Sequence, residues 1–235
     1  MSLLYHILNA IFPRLCFGCN KIVKKEEPFL CAECFSKIPI YQTLFCGLCY
    51  ARMPDNKKIC HKNSLYILGS ATQYAHPVKK LIWELKYNKK IAAAKPLKKI
   101  VETYLDKLQL ISPIGQISPI VIPIPLHPVK ERQRGFNQSE LIAKTVSEKL
   151  NLPLVKNCLL KNKNTLPQME LDSREKREKN IVGSFSIKNP NLIVKKNILL
   201  IDDIVTSGST LREAAKILKS AGAKKIIAIT AAKAG

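Results

Sequence analysis

Residues 197–210, "NILLIDDIVTSGST", decide the fold of this 235-residue chain. An aliphatic run ends in two adjacent carboxylates, Asp202 and Asp203, followed by small hydroxyl residues around Gly208. The run reads as a strand over 198–201, residues 204–210 as a loop, and "STLREAAKILKSAG" as a helix from about 209 to Gly222. Two like charges side by side at a strand end are costly unless cations or hydroxyls satisfy them, so the pair asks for a ligand. Thr206, Ser207, Gly208, Ser209 and Thr210 offer backbone N–H groups, hydroxyls and the positive end of a helix dipole, which together cradle a phosphate. The carboxylates would accept hydrogen bonds from vicinal hydroxyls or organise a Mg²⁺ held by them. Phosphate on one side and diol on the other describe a 5-phosphorylated ribose. No GKS or GKT follows a glycine-rich run and no GxGxxG is present, which excludes the Walker and dinucleotide loops.

Working outward, "KKIIAITAA" reads as a last strand, "IVIPIP" as a buried parallel strand and "LYILGSATQY" as another. "NLPLVKNCLL" reads as a further strand. Helices are expected at "PVKKLIWELKY", with Pro77 in its first turn, and at "AAAKPLKKIVETYLDKLQ", broken near Pro96. A third is "NQSELIAKTVSEKL", with Leu141, Ile142, Thr145, Val146 and Leu150 on one side. "ISPIGQISP" is a linker, and residues 161–180 read as a mobile loop running into a short charged helix. Strands alternating with helices predict an α/β fold on a parallel sheet.

The first 60 residues carry seven of the eight cysteines, as Cys16-x2-Cys19, Cys31-x2-Cys34, Cys46-x2-Cys49 and then Cys60. Two such knuckles about a dozen residues apart wrap four thiolates around a structural zinc. With Pro13, Pro28, Pro39 and Pro54 interrupting it, residues 1–64 form a small module that needs metal to fold, ahead of a domain over 65–235. Cys158 stands alone as a small core residue.

Lys and Arg number 39 against 17 Asp and Glu, a formal charge of +22. That excess points to anionic partners (nucleic acid, phosphorylated metabolites or an acidic membrane surface), or to a surface kept basic for solubility. No stretch is long and apolar enough for a membrane span. The N-terminal "SLLYHILNAIFP" lacks a signal peptide's cationic start and cleavage site and reads as an amphipathic helix on its own protein. A cytoplasmic location is expected.

"ILLIDDIVTSGST" resembles the phosphoribosyl pyrophosphate (PRPP) signature of type I phosphoribosyltransferases, with Ser207 where Thr is commoner. "VIPIPLHPVKERQRGFNQ" (121–138) and "TLPQMELDSREKREKNIVGSF" (165–185), together with the knuckles, resemble the ComF family of bacterial competence proteins. The resemblance implies a type I phosphoribosyltransferase fold behind an N-terminal zinc ribbon, with PRPP and Mg²⁺ at Asp202 and Asp203 as ribose-side, catalytic acids. It implies a pyrophosphate loop of Leu126, His127, Lys130, Arg132, Arg134 and Gly135, in which the cations supply charge-assisted donors. His127 would polarise pyrophosphate or hydrogen-bond the backbone. Residues 165–175 become a hood whose Arg174 reaches the pyrophosphate, unless that arginine lies on a solvated helix. Against the double-ribbon pattern, Asn63 stands at the fourth cysteine position of the second half. His61 or a distant ligand then completes a second zinc site with Cys46, Cys49 and Cys60, or the second zinc has been lost. The function implied is PRPP-dependent transfer to an unknown acceptor, acting in DNA uptake during natural transformation. Its alternative is a single-stranded-DNA-binding competence factor for which PRPP is only a ligand or regulator. DNA-uptake or recombination proteins are the expected protein partners.

Overall fold

The computed structural model describes residues 13–24, 26–53, 60–108, 119–165 and 174–235. The expected N-terminal helix, the 111–118 part of the linker and most of the hood lie outside these residues. Six strands build the main sheet: β1 (Leu44–Cys46), β2 (Arg52–Met53), β3 (Ile67–Gln73), β4 (Ile120–Pro123), β7 (Ile198–Val205) and β8 (Ile226–Lys233). They lie side by side in the order β2-β1-β3-β8-β7-β4. The strands β3, β8, β7 and β4 pair in parallel, as the alternating pattern predicts. The antiparallel β1 and β2 come from the cysteine-rich segment and extend the same sheet beyond β3.

Both faces of the sheet are covered, which is why its central strands are apolar without interruption. Leu199, Ile201, Ile227 and Ile229 pack with α2 (Val78–Lys86), α3 (Ala94–Leu108) and α5 (Gln138–Leu150). Ile198, Leu200, Ile226 and Ala228 point the other way, against Leu211, Ala214 and Leu218 of α7 (Ser209–Ser220) and Ile181 of α6 (Arg174–Ile181). Each fully buried leucine there contributes about 1.5–3 kcal/mol. A five-residue helix, α1 (Ala32–Ser36), starts directly after Cys31 and carries Cys34 of the second knuckle.

Three local expectations are corrected. The helix over 94–108 is not broken at Pro96: proline is its third residue, where the N–H would have no helical partner in any case. Residues 151–160 do not form one strand. Leu154 makes a single parallel bridge to Val121, Asn157 takes a left-handed φ of 60°, and the chain departs into β5 (Leu159–Lys161). Among the described residues β5 pairs with β6 (Phe185–Ile187) alone, in a separate antiparallel ribbon. Finally, β7 does not stop before the acids but runs through them to Val205, with Asp202 opposite Thr230 on β8. The neighbouring parallel strand holds that backbone in its ladder, which adjacent carboxylates alone would not suggest.

Candidate functional site

The carboxyl ends of β4 and β7 open into one cleft of about 190 Å³. In open parallel sheets, ligands lodge at this end. Asp202, Asp203, Thr206 and Thr210 line it from β7 and the start of α7. Leu126, Lys130 and Arg134 line it from the other side.

Burial decides the behaviour of the acid pair. Asp202 is 8% and Asp203 3% exposed. Asp202 Oδ1 accepts from Ser139 Oγ at 2.8 Å and from the Asp203 N–H at 2.9 Å. Burial, and then the Asp203 charge, push the Asp202 carboxyl up to about 7, against the pull of Lys86 and of these hydrogen bonds. Asp203 Oδ2 meets the Lys86 ammonium at 2.7 Å. Burial works to discharge Lys86, but the charges of Asp203 and Asp202 outweigh it and hold its pKa above the ordinary lysine value. Asp202 therefore sits at the border between acid and carboxylate near neutral pH. A diol donating hydrogen bonds, or a divalent cation, would favour the ionised form.

Beyond β7, the chain turns at Gly208, whose φ of 71° is open to glycine at little cost. A Cβ there would lie 1.6 Å from the Tyr50 hydroxyl, itself 3.3 Å from that of Tyr66. Ser207 Oγ lies 3.1 Å from Ser209 Oγ and accepts from the Ser209 N–H at 3.4 Å, closing the loop at the first turn of α7. The 206–210 loop is thus braced from behind by Tyr50, next to Cys49 of the third knuckle. Sequence reading did not anticipate this contact.

The basic stretch after β4 is a helix, α4 (Pro128–Arg134), not an open loop. His127 caps it, with Nδ1 accepting from the Val129 N–H at 3.3 Å. Gly135 ends it at φ 83°. Helical spacing then sorts the three cations. Lys130 and Arg134, four residues apart, share the cleft face, whereas Arg132 is exposed and does not line the cleft. Neither His127 nor Gly135 lines it. Lys130 also donates to the Thr165 carbonyl, tying α4 to the start of the predicted hood. Arg174 opens α6, and its side chain lies outside the described residues.

Several cleft residues escaped sequence reading: Lys86, Ser139, Lys161 and the aromatic side chains Tyr74, Trp83 and Tyr87. Burial, then the neighbouring Lys130 charge, lower the Lys161 ammonium to about 8, with Arg134 and Lys86 adding to the effect and Asp202 opposing it. Four cations around one cleft create a demand for a multiply charged anion. The one available hint was "LLKNK", a lysine directly after an apolar run.

Both cysteine sets close in space. The ligand atoms of Cys16, Cys19, Cys31 and Cys34 lie within 4.8 Å of one another, as do those of Cys46, Cys49, Cys60 and His61. Sulfur–sulfur distances of 3.7 Å from Cys31 to Cys16 and to Cys19 match the edge of a tetrahedron with metal–sulfur bonds of about 2.3 Å. In the second set, His61 Nδ1 reaches Cys60 Sγ at 3.0 Å and Cys46 Sγ at 3.5 Å, so adjacency in sequence does not keep His61 out. Burial opposes thiolate formation, but the N–H groups of Cys31, Cys19 and Gly18 bring Cys16 down to about 7. The N–H groups of Cys49 and Leu48, with Cys60 and His61, likewise bring Cys46 to about 6. Both sets fit structural zinc, with four donors and no open position.

Fold, cleft and cysteine sets define a phosphoribosyltransferase-type α/β domain behind a zinc ribbon. Residues 137–235 match the phosphoribosyl transferase domain and residues 7–64 the double zinc ribbon domain. The chain is a homologue of competence protein F of Haemophilus influenzae, at 33% identity over 107 residues, 45% of this chain and 46% of that protein. Competence protein ComFC of Bacillus subtilis is 35% identical over 105 residues, 44% of this chain and 39% of that protein. The DNA utilization protein YhgH of Escherichia coli K12 is 28% identical over 160 residues, 68% of each chain. The match spans less than half the length of the two competence proteins, and the likeness to the ComF family drawn from the sequence holds against all three. Among the described residues, no helix is long and apolar enough to cross a membrane.

Proposed function

We propose that this chain is a PRPP-binding, phosphoribosyltransferase-like protein that acts on the cytoplasmic side of DNA uptake in natural transformation. The observation that carries the reading is the convergence, in one cleft, of an acid pair, a hydroxyl-rich helix start and four cations. Phosphate would bind at Thr206–Thr210, the ribose hydroxyls at Asp202 and Asp203, and pyrophosphate toward Lys130 and Arg134. Mg²⁺ is the metal the acid pair and pyrophosphate would share, supplying neutralisation of the leaving group. Displacement at the anomeric carbon breaks its bond to pyrophosphate as the acceptor bond forms. Charge then develops on the leaving oxygens, where the cations stand ready without reorganising. The zinc module over 1–64 braces the phosphate loop of the 65–235 domain.

The DNA role rests on the names of the relatives and on the +22 charge. The same features favour a second reading, a single-stranded-DNA-binding factor in which PRPP is a ligand or regulator, working beside DNA-uptake or recombination proteins. Isothermal titration with PRPP and Mg²⁺ tests the cleft assignment. Saturable binding lost in Asp203→Asn is the expected result, and identical binding by that variant overturns the ribose assignment. Release of pyrophosphate from bound PRPP with candidate acceptors then separates transferase from receptor.

A further inference from the structure

Helix α2 carries two faces with different tasks. Val78, Leu81, Ile82 and Leu85 are buried in the core, and Lys86 turns into the cleft toward Asp203. The remaining face holds Lys79 and Trp83, and Tyr87 at the C-cap follows at the same four-residue step. Trp83 is 44% and Tyr87 43% exposed, although both are large and aromatic. Their ring centroids lie 5.7 Å apart at 41°, so they form one continuous aromatic surface. That surface lines the mouth of the cleft, and exposed Lys79 and Lys89 flank it.

We propose that the Lys79–Trp83–Tyr87 face is a stacking platform for unpaired bases of a single-stranded nucleic acid led across the mouth of the cleft. The proposal rests on the DNA-handling reading above and gives it a location. The combination of groups points to this occupant. Exposed rings offer flat apolar area to any base, and flanking lysines meet the phosphodiester between bases. A double helix hides its base faces, and an acidic peptide would have no use for the rings. An apolar protein partner would in turn have to cover Lys79, Lys89 and the cleft cations. Because Lys86 follows Trp83 by one turn and ion-pairs with Asp203, a strand on this face lies beside the proposed ribose site.

Trp83 is the single tryptophan of the chain, so its fluorescence reports the platform directly. The test titrates the full-length, zinc-loaded protein with oligothymidylate of about ten nucleotides, within the usual range for single-strand sites. Quenching of Trp83 emission that saturates with the strand is expected. Trp83→Ala with Tyr87→Ala should weaken binding, followed by oligonucleotide anisotropy, roughly tenfold to a hundredfold. The weakening should be equal at low and high salt, since stacking releases no counterions. Lys79→Ala with Lys89→Ala should instead flatten the salt dependence, by about 0.7 in log–log slope for each phosphate no longer neutralised. Trp83→Phe retains a ring and should bind nearly as wild type, which separates loss of stacking from any disturbance of α2. Strand binding with silent Trp83 emission and unaltered affinity in the double alanine variant overturns the platform alone. Equal quenching by a matched duplex, or by free thymine at the same base concentration, also overturns it. Absence of any strand binding by wild type removes the DNA reading with it, whereas loss of PRPP binding alone would leave the platform standing.

Discussion

Asp202→Asn should make the protein more stable at pH 8 while removing its affinity for PRPP. Burial and the Asp203 charge raise the Asp202 carboxyl from an ordinary 3.8 to about 7. A folded-state pKa above the unfolded one means that the native state holds the proton more tightly. Stability from this group is then fully present below about pH 4 and lost as the pH rises through about 7. The full interval corresponds to roughly 4 kcal/mol at about 1.4 kcal/mol per pH unit. Coupling to its charged neighbours broadens this titration. Asparagine keeps an oxygen for the Ser139 hydroxyl and the Asp203 N–H, but its new N–H₂ needs a partner in a buried position, which costs part of the gain. A net stabilisation of about 1–2 kcal/mol at pH 8 is expected, or about 2–8 °C in Tm for a chain of this size. Below pH 5 the two proteins should differ little or favour wild type. Calorimetric melting of both zinc-loaded proteins from pH 5 to 9 gives the difference curve, and titration with PRPP at pH 8 gives the functional cost. The reasoning fails if the variant is less stable than wild type at pH 8, or if the difference does not grow with pH. A more stable variant that cannot bind PRPP would show that the acid pair is kept for its ligand at the expense of the fold.

Gly208→Ala should damage the phosphate loop, since its Cβ would collide with the Tyr50 hydroxyl in a backbone conformation that alanine resists. PRPP affinity should fall at least tenfold, and Gly208→Ala with Tyr50→Phe, which removes the hydroxyl, should recover part of it; no recovery in calorimetry excludes the tyrosine contact as the cause. Elemental analysis of fresh protein should find two zinc ions per chain, with Cys31→Ser plus Cys34→Ser removing one and Cys46→Ser plus Cys49→Ser the other. The second of these variants should also weaken PRPP binding through Tyr50, and a value of one zinc in wild type refutes the Cys46, Cys49, Cys60 and His61 site. PRPP binding should decline as the pH rises past about 8, where Lys161 loses its proton. Lys161→Met should bind more weakly at pH 7 and show no such decline; an unchanged pH profile removes Lys161 from the anion site.

Much of the site was legible because its main parts are local. "ILLIDDIVTSGST" contains its own strand, acids, loop and helix start, and each is specified by near neighbours. Cys-x2-Cys knuckles are likewise written in spacing, because the turn that brings two thiolates to one metal is short. The pairing of Lys130 with Arg134, and the exclusion of Arg132, became readable only once that stretch was known to be helical. The family resemblance had grouped all three.

What the sequence determined by itself was therefore the α/β class, the acid pair leading into a hydroxyl-rich helix start and the first four-cysteine set, since short-range periodicity and spacing encode them. Tertiary structure alone decided which lysine of a lysine-rich surface neutralises the acids: Lys86, brought from α2 to 2.7 Å from Asp203. It alone placed Tyr50 behind Gly208, and it alone brought His61 round beside Cys46. The first two contacts join segments far apart in the chain, and nothing in a local pattern distinguishes the one residue that points inward from its many like neighbours. The packing of α2 and of the ribbon against the sheet makes that choice, because only there do burial and a facing charge set the energy of each group.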